Sequence, residues 1–185
     1  MNGKDIKMIL KTALSLFLIC AVAAGILAYI NTVTDPIITS NNEKAADEAR
    51  LQVLPDADTF SKETAADGSE YYKGSSDGKT VGYVFTTSAS GYGGAVEVMT
   101  GVDTDGKVTG LSILTINETP GLGMNAKKES FLSQYIGGSG TFSVIKNATP
   151  TENEILAITS ATITTKAVTN AVNEALSIYE AVKEG

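Results

Sequence analysis

The sequence predicts an α+β protein, with one N-terminal transmembrane helix followed by an antiparallel-sheet domain with packed helices. Three observations carry this expectation. Thr12 to Thr34 carry no charged side chain, strand-like segments follow one another at short spacing mid-chain, and the C-terminal stretch has one apolar stripe at helical spacing. At 185 residues there is room for an anchor plus one domain of roughly 100 to 150 residues.

The uncharged stretch has 23 residues and a dense apolar run from Leu14 to Ile30. As a helix it reaches roughly 34 Å, enough for a hydrocarbon core about 30 Å thick. A cleavable signal peptide would share the basic start at Lys4, Lys7 and Lys11 and a small-residue site at Ala21-Val22-Ala23, but the apolar run continues well past that site. Residues 1 to 34 hold three Lys and one acid, against 11 bases and 20 acids in the remainder. The positive-inside rule therefore predicts a single-pass protein of the cell membrane with a cytoplasmic N-terminus and an extracytoplasmic body.

The expected organisation is an anchor over 1–34, a connecting helix over 35–55 and the main domain over 56–185. Ala45, Ala49 and Val53 at four-residue spacing predict helix from Thr39 to Leu54, ending before Pro55. Asp67-Gly68 and Asp77-Gly78 are hairpin signals around Tyr71-Tyr72. Strands are expected over Thr80–Thr87, Ala95–Val102 and Val108–Ile116, forming a meander, then a short helix over Ala126–Tyr135 and a strand over Thr141–Ile145. The last helix is expected over Thr165–Val182, with Val168, Ala171, Val172, Ala175, Tyr179 and Val182 on one stripe.

Composition removes several function classes. A net charge of −7 argues against a nucleic-acid partner. With no His and one Cys, the chain alone cannot build a zinc site, a Cys-ligated iron–sulfur cluster, a Ser-His-Asp triad or a disulfide framework. No metal ligand set and no dinucleotide fingerprint is present.

Three segments stand out. Ser90-Gly91-Tyr92-Gly93-Gly94 is a glycine loop that lets backbone amides approach a ligand closely, or simply a hairpin loop. Asn117-Glu118-Thr119-Pro120-Gly121-Leu122-Gly123 combines turn chemistry with an acid and a hydroxyl at a strand end. Thr159-Ser160-Ala161-Thr162-Ile163-Thr164-Thr165-Lys166 places five hydroxyl side chains ahead of the last helix. A helix N-cap needs one of them, at Thr162, Thr164 or Thr165. The surplus leaves two readings open: an elaborate cap, or a phosphate at the helix start with Lys166 adding charge.

The run from Ile158 to Val172 resembles the flavinylation motif of the membrane-anchored FMN-binding domain family, specifically the G subunit of Rnf complexes. The Glu118–Gly123 run matches a second signature of that family, and the glycine loop lies where expected ahead of it. The resemblance implies FMN bound covalently, as a phosphoryl threonine, at Thr162. A separate flavin transferase would use FAD and magnesium, the Thr162 hydroxyl attacking phosphorus and AMP leaving. It also implies that Gly91 and Tyr92, then Glu118, Thr119, Gly121 and Leu122, and finally Thr159, Ser160, Ala161, Thr164 and Thr165 border the flavin. No residue of the chain is implied to be catalytic.

Three positions depart from the family pattern. Ser160 stands for a glycine, Ala157 for an acid, and no His precedes the Glu-Thr-Pro run. Serine suits the first position if its φ is negative.

The function implied is an electron-transfer role in an ion-translocating ferredoxin:NAD oxidoreductase, an enzyme only as part of that complex and working with its other membrane subunits. Two alternatives are the C subunit of the sodium-pumping NADH:quinone reductase and a non-redox anchored module binding a phosphorylated ligand.

Overall fold

In lipid an uncharged stretch must satisfy its own backbone polar groups, and a single open chain does so only as a helix. Gly3–Val53 form one helix, α1. The structure, a computed structural model, describes the backbone of residues 3–183 and the side chains of 9–35 and 43–183. The side chains of Lys4 and Lys7, on which the expected orientation partly rests, lie outside these.

Ile9–Asp35 is long and apolar enough to cross a membrane. The hydroxyls of Ser15 and Thr32 are satisfied within the helix, donating to the Lys11 and Ala28 carbonyls at 2.9 Å each. The anchor and the connecting helix, expected as separate segments over 1–34 and 35–55, are one continuous helix. The chain divides into two compact units, Met1–Ala45 and Ala46–Gly185, so the last turns of α1 belong to the second.

That second unit is built on a five-stranded antiparallel meander, β1 (Thr59–Thr64), β2 (Glu70–Ser76), β3 (Lys79–Ser90), β4 (Ala95–Asp103) and β5 (Val108–Thr115), in spatial order β1-β2-β3-β4-β5. The β2–β3 turn uses Asp77 and Gly78 with φ of 52° and 75°, as a type I′ hairpin requires. In the β4–β5 turn the Asp103 carboxylate accepts the Asp105 and Lys107 amides, both at 2.9 Å.

Period-2 alternation sends neighbours to opposite faces. Phe85, Val98 and Val102 face one core and Val84 and Met99 the other. The first is covered by the last helix (Thr162–Lys183), through Val168, Ala171, Val172, Ala175, Leu176 and Tyr179. The Thr87 hydroxyl donates to the Ala171 carbonyl at 2.7 Å, and the Tyr179 hydroxyl to the Thr104 carbonyl at 2.8 Å.

The opposite face receives the end of α1 and the residues after it, Ala49, Val53, Leu54 and Ala57. Here Gly101 and Gly110 matter. A Cβ on Gly110 would lie 2.6 Å from Val53 Cα, and one on Gly101 would meet the Val53 carbonyl. These glycines form a pit into which the helix end settles, and the Thr109 hydroxyl caps the Val53 carbonyl at 2.5 Å.

Between β5 and the last helix the expected short helix is divided into a 3-10 turn (Gly123–Lys127), α2 (Glu129–Leu132) and a second 3-10 turn (Ser133–Tyr135), the extended Lys128 separating the first two. Ser143–Ile145 form β6, which pairs in parallel with β7 (Glu154–Leu156). The last helix, Thr162–Lys183, is α3. Its Asn173 side chain fastens the β6 region to it, accepting the Phe142 amide at 2.8 Å and donating to the Phe142 carbonyl at 2.9 Å.

Candidate functional site

The hydroxyl-rich segment is shaped by its last threonine. Thr165 is fully buried; its hydroxyl accepts the Ile158 amide and donates to the Ala161 carbonyl, both at 3.0 Å. Its own amide also bonds Ala161 O at 3.0 Å. The chain from Ile158 to Ala161 is thus closed against the helix it feeds. Farther along, the Thr169 hydroxyl donates to the Thr165 carbonyl at 2.9 Å and shares a 2.8 Å hydrogen bond with the Tyr135 hydroxyl. Burial pushes the Tyr135 phenol well above its usual range, so it stays neutral.

This geometry corrects two expectations. The helix begins at Thr162, three residues earlier than the stripe indicates, because the fixed Thr165 sets the first turn. Its N-cap is Ala161, which has no side-chain acceptor, so no threonine caps the helix. The first-turn amides are left without intrahelical acceptors at the positive end of a helix of 22 residues. Ser160 has φ of 62°, not the negative value that would suit serine. It occupies a conformation that favours glycine and costs a residue with a Cβ about 1 kcal/mol.

The glycine loop is held from 26 residues away. Glu118, 9% exposed, accepts the Tyr92 amide at 2.7 Å and the Gly93 amide at 3.3 Å through Oε1. Gly91 packs against the same carboxylate and Gly93 against the Asn117 backbone, where a Cβ on either would collide. The loop is therefore a fitted lid over the Glu118 side chain rather than a free hairpin end.

These pieces enclose a cleft of about 500 Å³ lined by Tyr92, Glu118, Thr119, Leu122, Gly123, Ser160, Ala161, Thr162, Ile163 and Thr164. Tyr92, Leu122 and Ile163 give it exposed apolar walls. Thr162 is half-buried at one side of it. A second depression of about 670 Å³, bordered by Lys146, Thr149 and Thr159, shares Ser160 and Thr162 with the first. Thr162 thus stands where the two meet.

Of the residues expected at the site, Tyr92, Glu118, Thr119, Leu122, Ser160, Ala161, Thr162 and Thr164 line the cleft. Thr159 borders only the second depression. Gly91 lies behind Glu118. Gly121, with φ of 77°, forms an exposed turn whose carbonyl accepts the Asn125 side chain at 2.7 Å. Thr165 faces the interior. Sequence reasoning missed Ile163 as a wall and Lys146 to Thr149 as a border; among the latter only the left-handed Asn147, φ 55°, marks the place.

An FMN-binding domain family matches residues 91–177, and an RnfG N-terminal region family matches residues 1–53. The chain is 40% identical to the G subunit of the Na+-translocating ferredoxin:NAD+ oxidoreductase complex of Acetobacterium woodii, over 95% of this chain and 94% of that protein. It is 36% identical to the G subunit of the proton-translocating ferredoxin:NAD+ oxidoreductase complex of Clostridium ljungdahlii, over the same shares. Against the G subunit of the ion-translocating oxidoreductase complex of Methanosarcina acetivorans the identity is 32%, over 98% of this chain and 99% of that one. Among solved structures it is similar to Shewanella oneidensis NqrC, with a TM-score of 0.52 and 20% identity over 68% of this chain and 66% of that one. It is also similar to the C subunit of the Na+-translocating NADH-quinone reductase of Parabacteroides distasonis, with a TM-score of 0.53 and 23% identity over 63% of each chain. At these identities the likeness is one of fold.

Proposed function

We propose a function from one premise: the chain belongs to the G-subunit family of ion-translocating oxidoreductase complexes. It is the membrane-anchored flavoprotein component of a ferredoxin:NAD+ oxidoreductase complex, an electron relay that works with the other subunits rather than a self-contained enzyme. G-subunit relatives align through nearly the whole chain at 32 to 40% identity, which favours this reading over the C subunit of a quinone reductase.

The residues present fit FMN. The cleft volume lies in the range of cofactor sites, and its walls are apolar where a flat ring needs contact. A phosphate ester at Thr162 would meet the unpaired first-turn amides of α3. FMN, when bound, supplies the one- and two-electron chemistry that this composition lacks. The chain's own residues hold and orient it: α3 presents its first-turn amides, Glu118 fixes the glycine loop, and Tyr92, Leu122 and Ile163 exclude water from the walls.

The observation that carries covalent attachment is the position of Thr162, half-buried at the first residue of α3 and bordering both depressions. A flavin transferase can reach it from the second depression while the first receives the ring. A tether suits a domain outside the cytoplasm, where a lost cofactor is not replaced. In that orientation about 30 Å of hydrocarbon separates the flavin from cytoplasmic ferredoxin and NAD+, so integral partner subunits must carry electrons across.

Denaturing gels of chain coexpressed with a flavin transferase should show a fluorescent band that Thr162→Ala abolishes. A band that persists in this variant, or vanishes only in Thr164→Ala or Thr165→Ala, overturns the assignment. For orientation, protease added to intact spheroplasts should cut within 56–78; protection there with cutting in inside-out vesicles reverses it.

A further inference from the structure

Two polar atoms in the cleft have no hydrogen-bond partner among the described residues, and they converge on Gly123. Glu118 spends Oε1 on the Tyr92 and Gly93 amides. Oε2 makes no hydrogen bond among the described residues and points toward Gly123, where an added Cβ would lie 2.8 Å from it. The same Cβ would lie 2.8 Å from Thr164 Oγ1. Thr164 is only 1% exposed yet lines the cleft, and its hydroxyl makes no hydrogen bond among the described residues. Both oxygens open onto the cleft, so a group bound there can pair with them.

We propose that Glu118 and Thr164 form a polar floor, joined across Gly123, that sets the reduction potential of the bound flavin. The inference rests on the FMN reading above. The two groups act in opposite directions. A carboxylate held in place by two amide donors would oppose negative charge on a flavin bound in the cleft, and in a partly desolvated cleft that opposition is strong. The Thr164 hydroxyl can donate to the ring and favours the same charge. Gly123 keeps both atoms open to the cleft, since any larger side chain would wedge between them. Neither group is a catalytic residue by this account; Glu118 also acts as a positioning residue, because the glycine loop that carries Tyr92 hangs from its other oxygen.

The test is spectroelectrochemical titration of the purified, flavin-loaded full chain in detergent, alongside in-gel fluorescence and thermal unfolding. Glu118→Gln keeps an acceptor for the two amides and removes the charge; its flavin should titrate at a higher midpoint potential with attachment unchanged. Thr164→Val keeps the shape and removes the donor, lowering the midpoint, and Thr164→Ser should restore it. A merely structural role would change melting and leave the potential alone. Potentials unchanged in a folded, loaded Glu118→Gln or Thr164→Val chain overturn the proposal; should Glu118→Gln fail to fold, Thr164→Val decides by itself. A wild-type chain that never becomes fluorescent removes the flavin reading and this inference together, whereas a fluorescent chain whose potential ignores both substitutions removes this inference only.

Discussion

The Thr165 hydroxyl accepts the backbone amide of Ile158 at 3.0 Å, so a residue inside the last helix holds the strand exit seven residues before it. Thr165→Val would leave that half-buried amide without its partner and cost about 1 kcal/mol. Flavin loading at Thr162 should fall with it, while Thr165→Ser stays near wild type on both counts. Urea unfolding and in-gel fluorescence of the same preparations check this.

Ser160 holds φ of 62° two residues before Thr162. Ser160→Gly should raise stability by about 1 kcal/mol and leave the flavin band intact. Ser160→Val, branched at Cβ in a left-handed conformation, should do the reverse. Thermal melts of the two variants would show opposite shifts.

Gly110→Ala places a methyl group 2.6 Å from Val53 Cα. Neither backbone can yield cheaply, and overpacking of this kind costs about 1 to 3 kcal/mol. The end of α1 should lift, and limited proteolysis should find a new cut near Leu51 to Pro55.

Thr100 is fully buried and its hydroxyl has no partner among the described residues. Thr100→Val, equal in shape, should stabilise the domain by about 1 kcal/mol. An unchanged or lowered unfolding midpoint in urea would contradict this reading of the site.

The Thr151 hydroxyl and amide donate to the Glu154 carboxylate at 2.6 and 2.9 Å and hold its pKa below the ordinary glutamate value. A lowered folded pKa means that the turn entering β7 gains stability above the ordinary value and loses it as pH falls through the lowered one. In an NMR pH titration the Glu154 midpoint should rise toward the ordinary value in Thr151→Val.

Much of this fold is legible in the residues. Asp77-Gly78 and Asp103 to Lys107 announce their turns by composition. What escapes is whatever depends on a distant partner. Gly101 and Gly110 read as strand weakeners, yet they admit the backbone of Val53, far earlier in the chain. Ile155 and Leu156 are too short an apolar run to predict β7. At the site, Thr162 and Glu118 stand out through family resemblance, and no local pattern says that Glu118 supports the loop at Tyr92. The onset of α3 at Thr162 is hidden for the same reason, since it is set by where the Thr165 hydroxyl finds its partners.

The all-neighbour strand order carries a consequence for biogenesis. Each strand of the meander pairs with the one just before it, so the sheet can assemble hairpin by hairpin as a nascent chain lengthens. The groove cannot: its Tyr92 and Glu118 wall is made before its Thr162 wall, which arrives only with α3. A chain cut short before α3 would own a sheet with one bare face and would lack Thr162. On the proposal that Thr162 carries the flavin, a fluorescent band among newly made molecules marks translation that reached α3.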